Sequence, residues 1–134
     1  RWKNMLIINN PYNPESTIRA NSALVKDIRW DLMLEENKKQ IIPYEEYLKT
    51  SYYSKDYLKE LYPTEEAYIR YMTEFNTYAV LTPDGEWYEP GKMGWWGISY
   101  ATPEEERQFS EKYKEQFIKT ANPEWELTIV DCHI

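Results

Sequence analysis

The residues best equipped for chemistry lie at the C-terminal end. Thr128-Ile-Val-Asp-Cys-His-Ile134 holds the chain's only cysteine and only histidine, preceded by Asp131. In an extended strand successive side chains alternate faces, so Asp131 and His133 share one side. There the carboxylate can orient the imidazole, which is half of a general-base arrangement. A nucleophile or a substrate-positioning group would still have to come from elsewhere. Cys132 falls on the other side with Val130 and Ile134, the side expected to be buried, which disfavours a Cys-His dyad within this segment. The simpler account is polar pairing at the edge of a terminal strand. Asp131 and His133 are the residues an enzymatic reading would use, and the overall reading leans away from catalysis.

Other chemistries find less support. One histidine and one cysteine cannot build the usual nitrogen and sulfur sets for zinc, and no Asp-x-Asp-x-Asp-Gly loop gathers carboxylates for calcium. A phosphate-cradling glycine loop, a G-x-S-x-G elbow and a dinucleotide fingerprint are all missing. No metal or cofactor is expected. A paired-carboxylate hydrolase stays open, because the spacing of acids in space is not written in the sequence.

A second constellation is aromatic and acidic. Thirteen tyrosines and six tryptophans stand against three phenylalanines, so most large rings carry a polar tip suited to boundaries and contact surfaces. Trp87, Trp95 and Trp96 sit among the four glycines, which all fall between Gly85 and Gly97. With Tyr88 they would form a ledge able to stack a sugar or a base, or to seat a protein. The alternative is that they fold back and seal a small sheet. Glu104, Glu105 and Glu106 follow as an acidic cluster. Residues 1–62 carry ten Lys/Arg against nine Asp/Glu, and residues 63–134 carry six against fourteen. The net charge of −7 therefore belongs to the second half. That surface repels a nucleic-acid backbone and attracts basic proteins, nucleic-acid-binding ones included. It also serves plain solubility.

These residues must be positioned by a modest set of elements. At 134 residues the chain is read as one domain, residues 1–134, with strand and helices over 1–76 and a β-hairpin-β-α-β unit over 77–134. Met5-Leu-Ile-Ile8 reads as a strand ending in Asn9-Asn10-Pro11. Leu24, Val25, Ile28 and Leu32 then mark a helix capped by Asn21 or Ser22 and running to about Asn37. Ile41-Ile42-Pro43 is either a strand or a helix entry. Short helices follow to Asn76, Thr64 capping the third, and their Tyr/Lys/Glu richness reads as a solvated insertion more than a deep core. Tyr78–Thr82 and Glu86–Tyr88 flank a Pro83-Asp84-Gly85 turn. Thr102-Pro103-Glu104-Glu105 opens a long helix with a capping box, with Phe109, Tyr113 and Phe117 on its inner face and Asn122-Pro123 as its stop. Leu127 to Ile134 is the last strand. The fold class is α+β, a small and mostly antiparallel sheet packed by one long helix after a largely helical N-terminal half. No apolar run approaches 18 residues, which argues against a membrane span. A single cysteine fits a reducing, cytoplasmic setting. The chain opens on Arg1 with no basic-then-apolar leader, the pattern expected of a fragment or processed chain.

Tyr78 to Ile134 resembles a family of small proteins carried by phages, plasmids and conjugative elements of Gram-positive bacteria. The resemblance rests on Thr82-Pro-Asp-Gly85, Trp87, Gly91, Met93-Gly-Trp95, Gly97 and Thr128-Ile-Val-Asp-Cys-His133, and covers about 40% of the chain. It implies a mobile-element accessory protein, a class that includes inhibitors of host defence such as anti-CRISPR proteins. Ile7-Ile8-Asn-Asn-Pro11-Tyr12, a helix and Ile41-Ile42-Pro43 are similar to the opening of nucleoside deoxyribosyltransferase-like proteins, without that family's catalytic glutamate or glycine loops. The expected function is interaction with a basic host protein such as a nucleic-acid-guided nuclease, with Trp87, Trp95, Trp96, Glu104, Glu105 and Glu106 at the contact. The alternatives are a small nucleotide-processing enzyme and a ligand-binding module on the aromatic ledge.

Overall fold

A computed structural model describes residues 5–91 and 101–130 of the chain. Its first two strands, β1 (Leu6–Asn10) and β2 (Asn13–Ala20), form an antiparallel hairpin in which Leu6 faces Ala20 and Ile8 faces Ile18. The Pro11-Tyr12 corner is pinned by Asn10, whose side-chain oxygen accepts the Tyr12 N–H at 2.9 Å. Leu6 and Ile7 are buried against Ile28 and Met33, and this makes one of two cores among the described residues.

The chain then departs from the expected helix at 22–37. Ser22–Leu24 is a strand, β3, followed by a 3₁₀ turn over Val25–Asp27, and helix α1 begins only at Trp30 and ends at Gln40. The cause is tertiary. Ala23 pairs with Leu127, the Val25 N–H donates to the Trp125 carbonyl at 2.8 Å, and the Arg29 N–H donates to the Ile7 carbonyl at 2.8 Å. These bonds hold the backbone extended where the apolar spacing alone allows a helix. The last strand, β6 (Glu126–Thr128), is the partner in that pairing, so it joins the N-terminal half rather than the β-hairpin expected beside it.

Helices α2 (Tyr44–Thr50), α3 (Lys55–Leu61) and α4 (Glu65–Thr73) each start at a legible signal. Pro43 precedes α2, the Ser54 hydroxyl accepts from Tyr57 N–H, and the Thr64 hydroxyl accepts from Ala67 N–H. Between them lies a second core of Leu48, Leu58, Leu61, Tyr62 and Tyr68. The expectation of a solvated insertion is therefore corrected. Tyrosine enters this core because its polar tip finds a backbone acceptor inside the protein: Tyr44 donates to the Tyr62 carbonyl at 2.5 Å, and Tyr68 to the Ile42 carbonyl at 2.8 Å.

Helix α5 (Pro103–Tyr113) carries both halves of the capping box at Thr102 and Glu105 and packs against α3, where Arg107 donates to the Glu60 carbonyl at 2.8 Å in that helix's last turn. A π-helical turn over Lys114–Ile118 follows, closed by the Lys119 N–H donating to the Lys114 carbonyl. Steps of four residues over-rotate a 3.6-residue turn, and the wider turn takes that drift back. Phe109, Tyr113 and Phe117 consequently stay in one stripe, with ring centroids 5.3–5.9 Å apart. Phe75 touches Tyr113 on one side and Trp30 on the other, which carries the stripe into the N-terminal half. The architecture is α+β, with three two-stranded antiparallel sheets among the described residues. No helix among them is long and apolar enough to cross a membrane.

Candidate functional site

The most site-like region is built by the third hairpin and the end of the long helix. Strands β4 (Val80–Leu81) and β5 (Trp87–Tyr88) pair Val80 with Tyr88 and Leu81 with Trp87. The turn between them needs Gly85, whose φ is +85°. Asp84 locks the same turn by accepting the Glu86 N–H at 3.2 Å and the Thr82 hydroxyl through one oxygen, Oδ1. The Thr82 bond, followed by the Glu86 N–H, holds the Asp84 carboxyl below its ordinary range, so it stays ionised.

The two faces of this hairpin have opposite fates. Tyr88 turns inward and meets Phe117 edge-on at 5.2 Å. Leu81 and Trp87 turn outward side by side, 64% and 44% exposed, in a neighbourhood that also presents Asp84 and Glu86 to solvent. Cross-strand apolar pairs normally repay their exposure by packing against something, and this one leaves both side chains in broad contact with water.

On the inward side a cleft of about 480 Å³ opens between the hairpin turn and the helix end. Thr82, Asp84, Tyr88, Gln116, Phe117 and Trp125 line it. Three of these are aromatic, and the one formal charge among the described lining residues is Asp84. The Tyr88 hydroxyl, the Gln116 side-chain amide and the Trp125 indole N–H have no hydrogen-bond partner among the described residues. Trp125 is held by its backbone, its N–H donating to Asn122 and its carbonyl accepting from Val25, while its ring stays 42% exposed. Sequence reasoning overlooked Trp125. Its signal was a tryptophan between two glutamates immediately after the helix stop, in Asn122-Pro-Glu-Trp-Glu126.

The glutamate cluster divides three ways. Glu105 closes the capping box by accepting the Thr102 N–H at 3.1 Å. Glu106 points into the seam with α3, where the Tyr57 hydroxyl donates to it at 3.3 Å. Burial pushes its carboxyl above the ordinary range, and the Tyr57 bond opposes that rise. Glu104 is the exposed member, within 3.4 Å of the Gln108 amide. Glu89, just after β5, has both carboxylate oxygens shut off from solvent without a hydrogen-bond partner, and no described contact explains why.

The remaining candidates fall elsewhere. Trp95, Trp96, Asp131, Cys132 and His133 lie outside the described residues. The face expected to be buried in the last strand is corrected at Val130, which is 69% exposed, while Leu127 and Ile129 pack on the Leu6 core. The Ile129 N–H, donating to the Asn21 carbonyl at 2.8 Å, sets that register, and one residue of register exchanges the two faces. Among the described residues no group of three or more His, Cys, Asp or Glu side chains is placed to hold a metal ion. Compared with protein-family models, curated proteins and solved structures, the chain matches none.

Proposed function

We propose that this protein acts by binding a basic protein through its acidic C-terminal half. The observation that carries the reading is the outward pair Leu81 and Trp87, exposed side by side on the β4–β5 hairpin. An exposed tryptophan beside an aliphatic residue is the kind of anchor that dominates contact energies when a partner removes it from water. The surrounding acids supply the second component. Exposed Glu86 precedes Trp87 in the chain, and the half of the chain that holds the pair carries six basic against fourteen acidic residues. Charge of that sign speeds encounter with a basic partner and selects against acidic ones. The resemblance of residues 78–134 to mobile-element accessory proteins supports a narrower form: inhibition of a host-defence nuclease whose nucleic-acid groove is basic, with the acidic half competing for that groove. Trp95, Trp96 and Glu104 would extend the contact.

The test is titration of the purified chain against purified nucleic-acid-guided nucleases across a salt series. Affinity is expected to fall steeply with salt and to drop at least tenfold in Trp87→Ala. Binding that ignores salt removes the electrostatic component. Absence of binding to any such nuclease, or full affinity in Trp87→Ala, overturns the reading.

A further inference from the structure

We propose that the cleft between the β4–β5 turn and the end of the long helix receives a single arginine side chain of the basic partner. The proposal rests on the interaction reading above and deepens it by naming what the partner inserts.

The cleft selects for a cation by its lining. Among the described residues that line it, Asp84 is the one formal charge and none is a lysine or arginine. Trp125, on the rim, is bracketed by Glu124 and Glu126; Lys26 reaches Glu124 at 3.0 Å, and Lys119 is engaged with Glu115 at 2.7 Å. Asp84 is also oriented. Its Oδ1 accepts the Thr82 hydroxyl and the Glu86 N–H, which leaves Oδ2 with no side-chain partner among the described residues. A carboxylate fixed in this way meets an incoming donor without first having to find its rotamer.

Arginine fits the remaining chemistry better than lysine. The rings of Tyr88, Phe117 and Trp125 offer flat apolar surface to a guanidinium plane and to the three methylenes behind it. The planar fork can donate to Asp84 Oδ2 and to the Gln116 side-chain oxygen while it stacks, whereas a compact ammonium offers no face to stack. A volume of about 480 Å³ accommodates one long side chain with room for water. The cleft and the Leu81–Trp87 pair are opposite faces of one hairpin, so a partner that wraps the turn engages both.

The experiment is a titration of ¹⁵N-labelled full chain, followed by two-dimensional NMR, with hexa-arginine, hexa-lysine and maltose as separate probes. Hexa-arginine is expected to move the Gly85 and Tyr88 amides and the Trp125 indole N–H, with hexa-lysine weaker and maltose silent. Affinity should fall at least tenfold in Asp84→Asn, which retains the Oδ1 acceptor that holds the turn, and likewise in Trp125→Ala. Unchanged hexa-arginine affinity in Asp84→Asn overturns the proposal, as does a response of the same resonances to maltose but not to hexa-arginine. Failure of the two readings separates cleanly. Nuclease binding that survives Asp84→Asn but is lost in Trp87→Ala overturns the cleft assignment alone. Hexa-arginine binding in the cleft, with no basic protein bound, overturns the interaction reading alone.

Discussion

The tyrosine-rich helices between Tyr44 and Thr73 and the hairpin-and-cleft region after Val80 draw on similar residues and use them in opposite ways. In the helices the rings go inward and their polar tips follow, while Tyr52 and Tyr53 in the α2–α3 connection stay exposed. Tyr62 and Tyr68 are 3% and 1% exposed, and the hydroxyls of Tyr44 and Tyr68 end on backbone carbonyls within the same cluster. Burial pushes the Tyr62 and Tyr71 phenols up, so they remain neutral across the physiological range. Around the hairpin the rings of Trp87 and Trp125 stay in contact with water, and the polar atoms of Tyr88, Gln116 and Trp125 have no described partner. Aromatic abundance is therefore not a sign of function in itself. The informative quantity is whether the polar tip of each ring has been spent inside the fold.

The largest effect that tests this contrast comes from truncation. Leu58 is 1% exposed in the tyrosine core, and Leu58→Ala should cost about 2–5 kcal/mol in urea unfolding, because the closely packed rings around it cannot collapse into the void. Leu81→Ala deletes the same atoms from the outward face of the hairpin and should stay within about 0.5 kcal/mol of the parent, while weakening the binding proposed above. A stability loss at Leu81 approaching that at Leu58 would mean the outward face is packed, and the two regions would no longer differ in kind.

A smaller effect tests whether the long helix is set by its own sequence or by its neighbours. The Thr102 hydroxyl accepts the Glu105 N–H at 3.1 Å, and Thr102→Ala should cost about 1 kcal/mol. Helix content by circular dichroism should change little, because Arg107 and Tyr57 still tie α5 to α3. Loss of the helix signal would show instead that the cap, rather than packing, holds this element.

Such caps explain how much of the fold was legible beforehand. The Thr64 and Thr102 caps, the Pro83-Asp84-Gly85 turn and the Phe109-Tyr113-Phe117 stripe all depend on residues within eight positions of one another, and each formed where the residue types placed it. The misread elements depend on partners far along the chain. Ser22 meets Thr128 at 2.9 Å across 106 positions, and no spacing within residues 22–37 announces that contact. The register that turns Ile129 inward and Val130 outward is likewise set by Asn21. The candidate site divides along the same line. The expected ledge held Trp87 and Tyr88 together, but strand alternation puts them on opposite faces, with Tyr88 inward against Phe117. The cleft joins the hairpin turn, the helix end and Trp125, three segments that only the folded chain brings together.

The smallest expected effect concerns the seam where the two regions meet. Glu106 belongs by sequence to the acidic half but faces the tyrosine cluster, and burial raises its carboxyl above the ordinary range. A folded-state pKa above the unfolded value of about 4.3 means that the stability this group contributes is fully present below that value and is lost as pH rises through the folded pKa. Glu106→Gln keeps an acceptor for the Tyr57 hydroxyl and removes the charge, so the variant should escape that loss. Its urea midpoint should match the parent near pH 4 and exceed it slightly at pH 7, the difference remaining small because Glu106 is only half-buried and water screens it. Parallel midpoints for parent and variant across this range would place Glu106 with the solvent-facing acids. The boundary between the tyrosine core and the acidic surface would then lie on the α3 side of this helix, and Glu106 would join Glu104 as available to a basic partner.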